Sequence, residues 1–428
     1  MDSYNMKLAP EEIEILDGRR GETLQKALKS VVLYGETFGA KRLLPIDGSI
    51  HLVTSFGIPM LTPVFDIMDE LIKENLRTKE SFTVDPRPLD YENVKCNPLQ
   101  KVVFRIMYGK QEMYEKQLKE VGLKDDNAFT CTCYLPEVGN TPKKGDILSW
   151  AESSAVVFAN SVLGARSNRN SGVIELLCGI VGKVPEFGLL TDEGRKAKWL
   201  IQLKTSKLPN AQILGSAIGM KVMEDVPYIV GLDKHLGKGI SDTTINYLKD
   251  MGAASASNGA VGLYHVENIT PEAIDLGESL LVDDYKTYII DDGELNRIYD
   301  SYPIMWKNPS QTPKKCFIGC PHLSLSQIYD WVERIEEAVK ISGKSKVLID
   351  TILSASPDVI QEFKKDKLAL QRLNSMGVKL TYICPLMYMN NPLCAKEPII
   401  TNSNKLRTYT TARFYTDETI LSKITGLK

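Results

Sequence analysis

Eight cysteines punctuate the 428 residues, at positions 96, 131, 133, 178, 316, 320, 384 and 394. They are too few for a disulfide scaffold, and no pair repeats in the CxxC spacing of a zinc ribbon, so free thiols in a reducing compartment are expected. Two settings suit a metal centre. Cys131 and Cys133 stand in Thr130-Cys-Thr-Cys133, a turn of small and hydroxyl residues whose donors could surround a charged cluster; space-filling buried thiols are the equal alternative there. Gly319-Cys-Pro-His322 places a thiol and an imidazole at a helix entrance, where backbone amides favour a thiolate.

A second set of residues suits anion handling. Glu152 lies in Trp150-Ala-Glu-Ser-Ser-Ala155, and the weakly charged stretch after it ends in Gly164-Ala-Arg-Ser-Asn-Arg169. Arg166 and Arg169 flank Asn168, a fit for gripping a carboxylate or phosphate by forked hydrogen bonds, with a solvated helix end as the alternative. Thr401-Asn-Ser-Asn-Lys405 groups Ser403 and Lys405 with Arg407 and Tyr409 nearby, either an anion cradle or an ordinary polar turn. His265 and His51 read equally as core histidines or proton-transfer groups, and His235 reads as a surface residue. Gly215–Gly219 matches neither a dinucleotide fingerprint nor a P-loop, and HExxH and GxSxG motifs are absent from the sequence.

Elements must bring these groups together. Residues 8–30 predict one or two amphipathic helices, 41–56 a strand, a turn at Asp47-Gly48 and a strand, 63–73 a helix, and 92–121 a helical stretch broken near Pro98 and stopped by Gly122. Thr83–Leu89 reads as extended because its prolines restrict the residues before them. The Gly-, Ser- and Ala-rich middle, 131–265, suggests buried loops around a site. The C-terminal third alternates strand 315–319, helix 324–340 with a Ser324/Gln327 capping box, strand 346–350, helix 357–376 and strand 378–383. That order predicts a mostly parallel sheet, with Cys320 and Cys384 each following a strand at one sheet edge, where ligand sites form.

Several of these motifs, in the same order along nearly the whole chain, resemble the catalytic part of the aconitase X family. They are Thr130-Cys-Thr with Val138-Gly-Asn140, Trp150 to Val156, Asn160 to Arg169, Ala256-Ser-Asn-Gly-Ala260 with His265 and Thr270-Pro-Glu272, Gly319-Cys-Pro-His322, and Thr401 to Lys405. The resemblance implies an α/β, aconitase-like multidomain architecture with mostly parallel sheets flanked by helices. Its expected parts are an N-terminal helical and mixed portion (1–130), a central α/β portion (131–300) and a C-terminal βαβαβ portion (301–428). It also implies an iron-dependent hydro-lyase, with Cys131, Cys320 and Cys384 as ligands of an iron-sulfur cluster. A [4Fe-4S] cluster with one open iron is the first expectation; [3Fe-4S], [2Fe-2S] and a single iron are the alternatives. Glu152, Arg166, Asn168, Arg169, His322, Ser403 and Lys405 are then expected around the substrate. Cys133 stands where the family commonly has proline, which leaves it a bystander or a substitute ligand.

The resemblance further implies that a small swivelling domain supplies a serine base from a separate small subunit. Between the two activities known in the family, segment 83–90 and the lack of a distinct phosphate loop favour cis-3-hydroxy-L-proline over mevalonate 5-phosphate. A non-catalytic metal-binding subunit and a Cys320 nucleophile assisted by His322 are the competing classes. With 52 basic against 54 acidic residues, the net charge of -2 gives no general reason to bind nucleic acid or membrane. No signal peptide or membrane span is visible, and a cytoplasmic protein is expected.

Overall fold

A computed structural model describes residues 4–53 and 62–427. Its N-terminal part carries helices α1 (Pro10–Leu16) and α2 (Glu22–Thr37), strands β1 (Leu43–Pro45) and β2 (His51–Leu52), helix α3 (Thr62–Lys73) and strand β3 (Thr83–Val84). Helices α4 (Pro98–Tyr108), α5 (Gln111–Val121), α6 (Ser153–Phe158) and α7 (Ile174–Val181) and strand β4 (Lys183–Pro185) follow. The strand–turn–strand expected over 41–56 is present as β1 and β2, but they do not form a hairpin. β1 pairs antiparallel with β4 and β2 pairs parallel with β3, while 54–56 lie outside the described residues. Nor does the helical stretch begin at Glu92: Asn97 caps α4, accepting the Gln100 N–H at 2.9 Å, and Pro98 fills the first helical position.

The pairing of β2 and β3 belongs to a wider irregular layer. Parallel bridges join Arg169 to Trp150, Trp150 to His51, and Val84 to Phe129, so five short segments run side by side in one direction. These segments come from both sides of residue 130.

The middle part holds strand β5 (Ala197–Lys204), helix α8 (Ala211–Val222), strand β6 (Pro227–Val230), helices α9 (Asp233–Leu236) and α10 (Asp242–Asn258), strand β7 (His265–Val266), helix α11 (Pro271–Leu276), strand β8 (Leu281–Asp291) and helix α12 (Asp292–Asp300). Its sheet is parallel throughout, in the order β7-β6-β5-β8. Much of the small-residue stretch expected as buried loops is helix. The run from Met251 to Asn258 is the buried end of α10, and its small side chains let α8 approach. A Cβ on Gly215 would stand 2.1 Å from the Met251 carbonyl, and one on Gly219 would stand 2.5 Å from that of Ser255.

The C-terminal part is a five-stranded parallel sheet, β11-β10-β9-β12-β13. It is built from β9 (Lys315–Leu323), α13 (Leu325–Ile341), β10 (Asp350–Ala355), α14 (Pro357–Phe363), α15 (Lys367–Ser375), β11 (Lys379–Thr381), α16 (Pro385–Asn390), β12 (Ile399–Thr401), α17 (Asn404–Tyr409), β13 (Arg413–Phe414) and α18 (Asp417–Thr425). The Ser324/Gln327 capping box starts α13 as expected. Three expectations shift. β9 runs on through Cys320 and a cis peptide to Pro321; the strand expected over 346–350 begins at its end and continues to Ala355; and the single helix over 357–376 divides where Asp366 caps α15. The last two strands, β12 and β13, went unread because they span only three and two residues. The architecture is therefore mixed α/β with mostly parallel sheets flanked by helices. Among the described residues, no helix is long and apolar enough to cross a membrane.

Candidate active site

The irregular N-terminal layer and the C-terminal sheet aim their carboxyl ends at the same place. Beyond the first lie Val53, Asp85, Cys131, Glu152 and Arg169, immediately after or within its five segments. At the second, Cys320 sits in the final half of β9, Cys384 follows β11, and Ser403 and Lys405 follow β12. Cys131, Cys320 and Cys384 line one small cavity together with Asp85, Glu152 and Lys405. A neighbouring cavity of about 420 Å³ shares Glu152, Leu386 and Lys405 with it and adds Arg169, Asn390 and Tyr409. This is the sheet-end placement of ligand sites, made here by two sheets instead of one.

All three thiols are buried, and donors converge on them. The His322 N–H points at the Cys131 sulfur at 3.4 Å; the Met387 amide favours the Cys384 thiolate; the Lys405 charge favours that of Cys320. Burial nonetheless dominates and pushes each of the three above the usual thiol range, for Cys131 with help from Glu152. The protein alone thus keeps them protonated, and a bound cation would displace those protons. Sulfur donors from separate elements, amides aimed at them and a buried cation alongside are a donor set that fits an iron-sulfur group. Among the described residues, no three His, Cys, Asp or Glu side chains converge on a point suited to a single metal ion. Cys133 lines neither cavity: it is fully buried in the apolar core, with Thr83 favouring its thiolate against burial and Glu152.

Glu152 caps α6 and spends its oxygens on the Ala155 N–H and Ser154 hydroxyl, both at 2.7 Å, and on the Lys405 ammonium. Burial alone would raise its carboxyl, but the Lys405 charge and these hydrogen bonds prevail and hold it below the usual range. Burial would likewise lower Lys405, yet Glu152, Cys320 and Cys131 hold it above the ordinary lysine range. The pair is therefore ionised in a buried place, with the ammonium facing the thiols.

The other expected residues divide. Arg169 is exposed at the wall of the larger cavity, its Nη1 3.3 Å from the Ala256 carbonyl. His322 lines the thiol cavity, but both ring nitrogens are engaged, Nδ1 with Thr130 and Nε2 with the Ile383 carbonyl, each at 3.1 Å. Burial pushes it down to about 4, and no thiol holds its nitrogens, which leaves the Cys320–imidazole reading without its pair. Ser403 caps α17 and its hydroxyl donates to the Cys320 carbonyl, so it supports the thiol from behind. Arg166 and Asn168 line neither cavity. Arg166 pairs with Asp192 at 2.6 Å, and Asn168 pins residues 187–189 through the Phe187 carbonyl and the Leu189 N–H. His265 is a core histidine bonded to the Arg195 carbonyl at 2.9 Å, and His51 is buried against Thr83 at 2.8 Å. Sequence reasoning missed Asp85, the residue after a two-residue strand and before Pro86; its only signal was an acid ending an extended apolar run.

Family models match just over two thirds of the chain: residues 5–193 match the aconitase X first domain and 197–300 its second. The chain belongs to the aconitase X family. This aconitase X chain is 32% identical over 343 residues to the phosphomevalonate dehydratase large subunit of Thermococcus kodakarensis, 79% of this chain and 78% of that one. The cis-3-hydroxy-L-proline dehydratase of Pseudomonas aeruginosa is 35% identical over 155 residues, 36% of this chain and 25% of that protein. The crystal structure of Thermococcus kodakaraensis aconitase X in its holo form superposes with a TM-score of 0.79 at 28% identity, covering 98% of this chain and all of the other.

Proposed function

We propose that this aconitase X chain is the large subunit of a dehydratase that removes water from mevalonate 5-phosphate on an iron-sulfur centre held by Cys131, Cys320 and Cys384. The observation that carries the reading is the extent of similarity. Resemblance to a phosphomevalonate dehydratase large subunit runs over some four fifths of both chains at 32% identity, whereas a quarter of the Pseudomonas aeruginosa cis-3-hydroxy-L-proline dehydratase is matched, and 44% of the Hypocrea jecorina one at 24% identity. This reverses the preference drawn from segment 83–90. The reversal is physically reasonable, because two residues of β3 and a proline-rich turn carry little substrate information.

An iron-sulfur centre with an open iron supplies Lewis acidity that makes a hydroxyl a better leaving group. The chain's own groups bind and orient. Lys405, held by Glu152, and Arg169 across the larger cavity present the cations that a substrate with a carboxylate and a phosphate needs, Arg169 as a forked donor. They also stabilise the charge that builds on the carboxylate when the adjacent carbon loses its proton. Leu386 and Tyr409 give the cavity its less polar wall. Glu152 is committed to Lys405, Ser154 and Ala155 and is poorly placed to take that proton. This supports a base, the expected serine, supplied by a small swivelling subunit that closes over the cavity. Eight free thiols fit work in the reducing cytoplasm.

The test is anaerobic purification with and without a co-expressed small subunit, measuring iron, acid-labile sulfide and the loss of each candidate substrate. Iron and sulfide that fall together in Cys131→Ser, Cys320→Ser and Cys384→Ser, with turnover of mevalonate 5-phosphate, are expected. Iron without sulfide would replace the cluster by a mononuclear centre, and turnover of cis-3-hydroxy-L-proline alone would overturn the substrate.

A further inference from the structure

His322 lies two residues beyond Cys320, and each of its four polar groups is spent on a different part of the site. Its backbone N–H reaches the Cys131 sulfur at 3.4 Å, and its carbonyl accepts from the Lys249 ammonium at 3.0 Å. On the ring, Nδ1 is 3.1 Å from the Thr130 hydroxyl and Nε2 is 3.1 Å from the Ile383 carbonyl. A carbonyl can only accept, so Nε2 carries the proton and Nδ1 takes the Thr130 hydroxyl hydrogen; the Thr130 oxygen in turn accepts the Thr132 N–H at 3.0 Å. Thr130 immediately precedes Cys131, and Ile383 immediately precedes Cys384. One imidazole therefore joins the three segments that carry the thiols. Lys249, wholly buried on α10 and 3.2 Å from Asp250, anchors that junction to the middle part of the molecule.

We infer that His322 is a positioning residue that holds the three thiols in register before any cofactor arrives, with Thr130 and Lys249 as its arms. The inference rests on the proposed cluster only for its purpose; the hydrogen bonds belong to the chain itself. Cys131, Cys320 and Cys384 come from elements far apart in sequence, and a ring with both nitrogens satisfied fixes their spacing without contributing a proton to chemistry. The imidazole acts through the thiols and takes no part as acid or base.

The experiment uses the full-length, reduced protein stripped of metal by chelation, with iodoacetamide as the probe and peptide mass spectrometry reading the alkylation rate of each cysteine. Thr130→Val, which keeps the side chain's shape, and His322→Leu are expected to speed alkylation of Cys131 about tenfold, roughly the worth of one buried hydrogen bond. Cys178 and Cys316, buried elsewhere, stay at the native rate. His322→Leu also releases Cys384, while His322→Gln, whose amide can still donate to the Ile383 carbonyl, restores Cys384 and leaves Cys131 fast. Adding Thr130→Val to His322→Leu brings no further increase at Cys131, because the two side chains share one bond. Native rates at Cys131 and Cys384 in these variants, or an equal rise at all four cysteines, would overturn the inference. If His322→Leu does not fold, Thr130→Val and His322→Gln carry the test. Anaerobic loading with iron and sulfide then separates the two readings. A native chain that takes up neither refutes the cluster and leaves the alkylation result standing, whereas faster chelator stripping from Thr130→Val than from native protein joins the tie to the cofactor.

Discussion

At the scale of single residues, the candidate site is built around one buried ion pair, Glu152–Lys405, while Glu175 is an acid buried far from any cation among the described residues. The residues of the candidate site were most legible where the chemistry is unusual: thiols in turns, a glutamate before hydroxyls, a lysine among amides. Cys131, Cys320, Cys384, Glu152, Arg169, His322 and Lys405 do meet around the two cavities. Arg166 lines neither cavity, and an arginine beside polar residues looks the same in sequence whether its anion is a ligand or the protein's own Asp192. Glu175 was not legible at all. It is fully buried on α7, no side chain or backbone of another described residue hydrogen-bonds its carboxylate oxygens, and burial holds its carboxyl well above the usual range against its own backbone N–H. The folded chain therefore keeps a proton that the unfolded chain gives up near pH 4.5, and stability falls as pH rises beyond that value. Glu175→Gln should raise the melting temperature, with a larger gain at pH 8 than at pH 5, by a difference that grows at up to about 1.4 kcal/mol per pH unit. Equal gains at both pH values in thermal melts would show that the carboxyl is ionised in the fold.

At the scale of elements, capping chemistry and parallel alternation were readable, whereas contacts between helices were not. The Ser324/Gln327 box and the Gly122 stop mark real helix ends, because a cap is a local exchange of hydrogen bonds that needs nothing from elsewhere. The parallel pairing of the short strands at His51 and Thr83, and the strands at Ile399 and Arg413 themselves, depend on neighbours distant in sequence, so local pattern could not reveal them. The same holds for α8 and α10, whose glycines and serines look loop-like until the two helices are seen to pack backbone against backbone. Gly215→Ala makes this measurable. An alanine in a helix gains about 1 kcal/mol in propensity over glycine, but here its Cβ would sit 2.1 Å from the Met251 carbonyl, and overpacking of that kind costs about 1–3 kcal/mol or more. Net destabilisation in denaturant titrations is expected despite the propensity gain. A variant as stable as the native chain would show that the helices separate at little cost.

At the scale of the whole molecule, three of the four histidines are neutral core residues: burial lowers His51, His265 and His322 to about 4. In the unfolded chain each binds a proton below about 6.5, so stability is lost as pH falls from there towards 4, where the folded forms begin to charge. In the upper part of that window the three rings outweigh the opposing slope of Glu175, and the raised carboxyls of Asp417, Asp358 and Glu267 add to that opposition nearer its acid end. Thermal melts of the metal-free chain should therefore show an acid limb beginning near pH 6.5, and a flat profile between pH 6.5 and 4.5 would contradict the burial of these rings. The architecture also sets a timetable. Cys131 meets Cys320 and Cys384 only when Cys384 has been made, some 250 residues of synthesis later, and the sheet β11-β10-β9-β12 has formed. At ribosomal speeds of about 5–20 residues per second that is a wait of roughly 13–50 seconds. During it the first thiol stands on a nascent chain without its companions, open to oxidation or to capture by a stray metal, so the proposed cluster would have to be loaded late, after the chain has assembled.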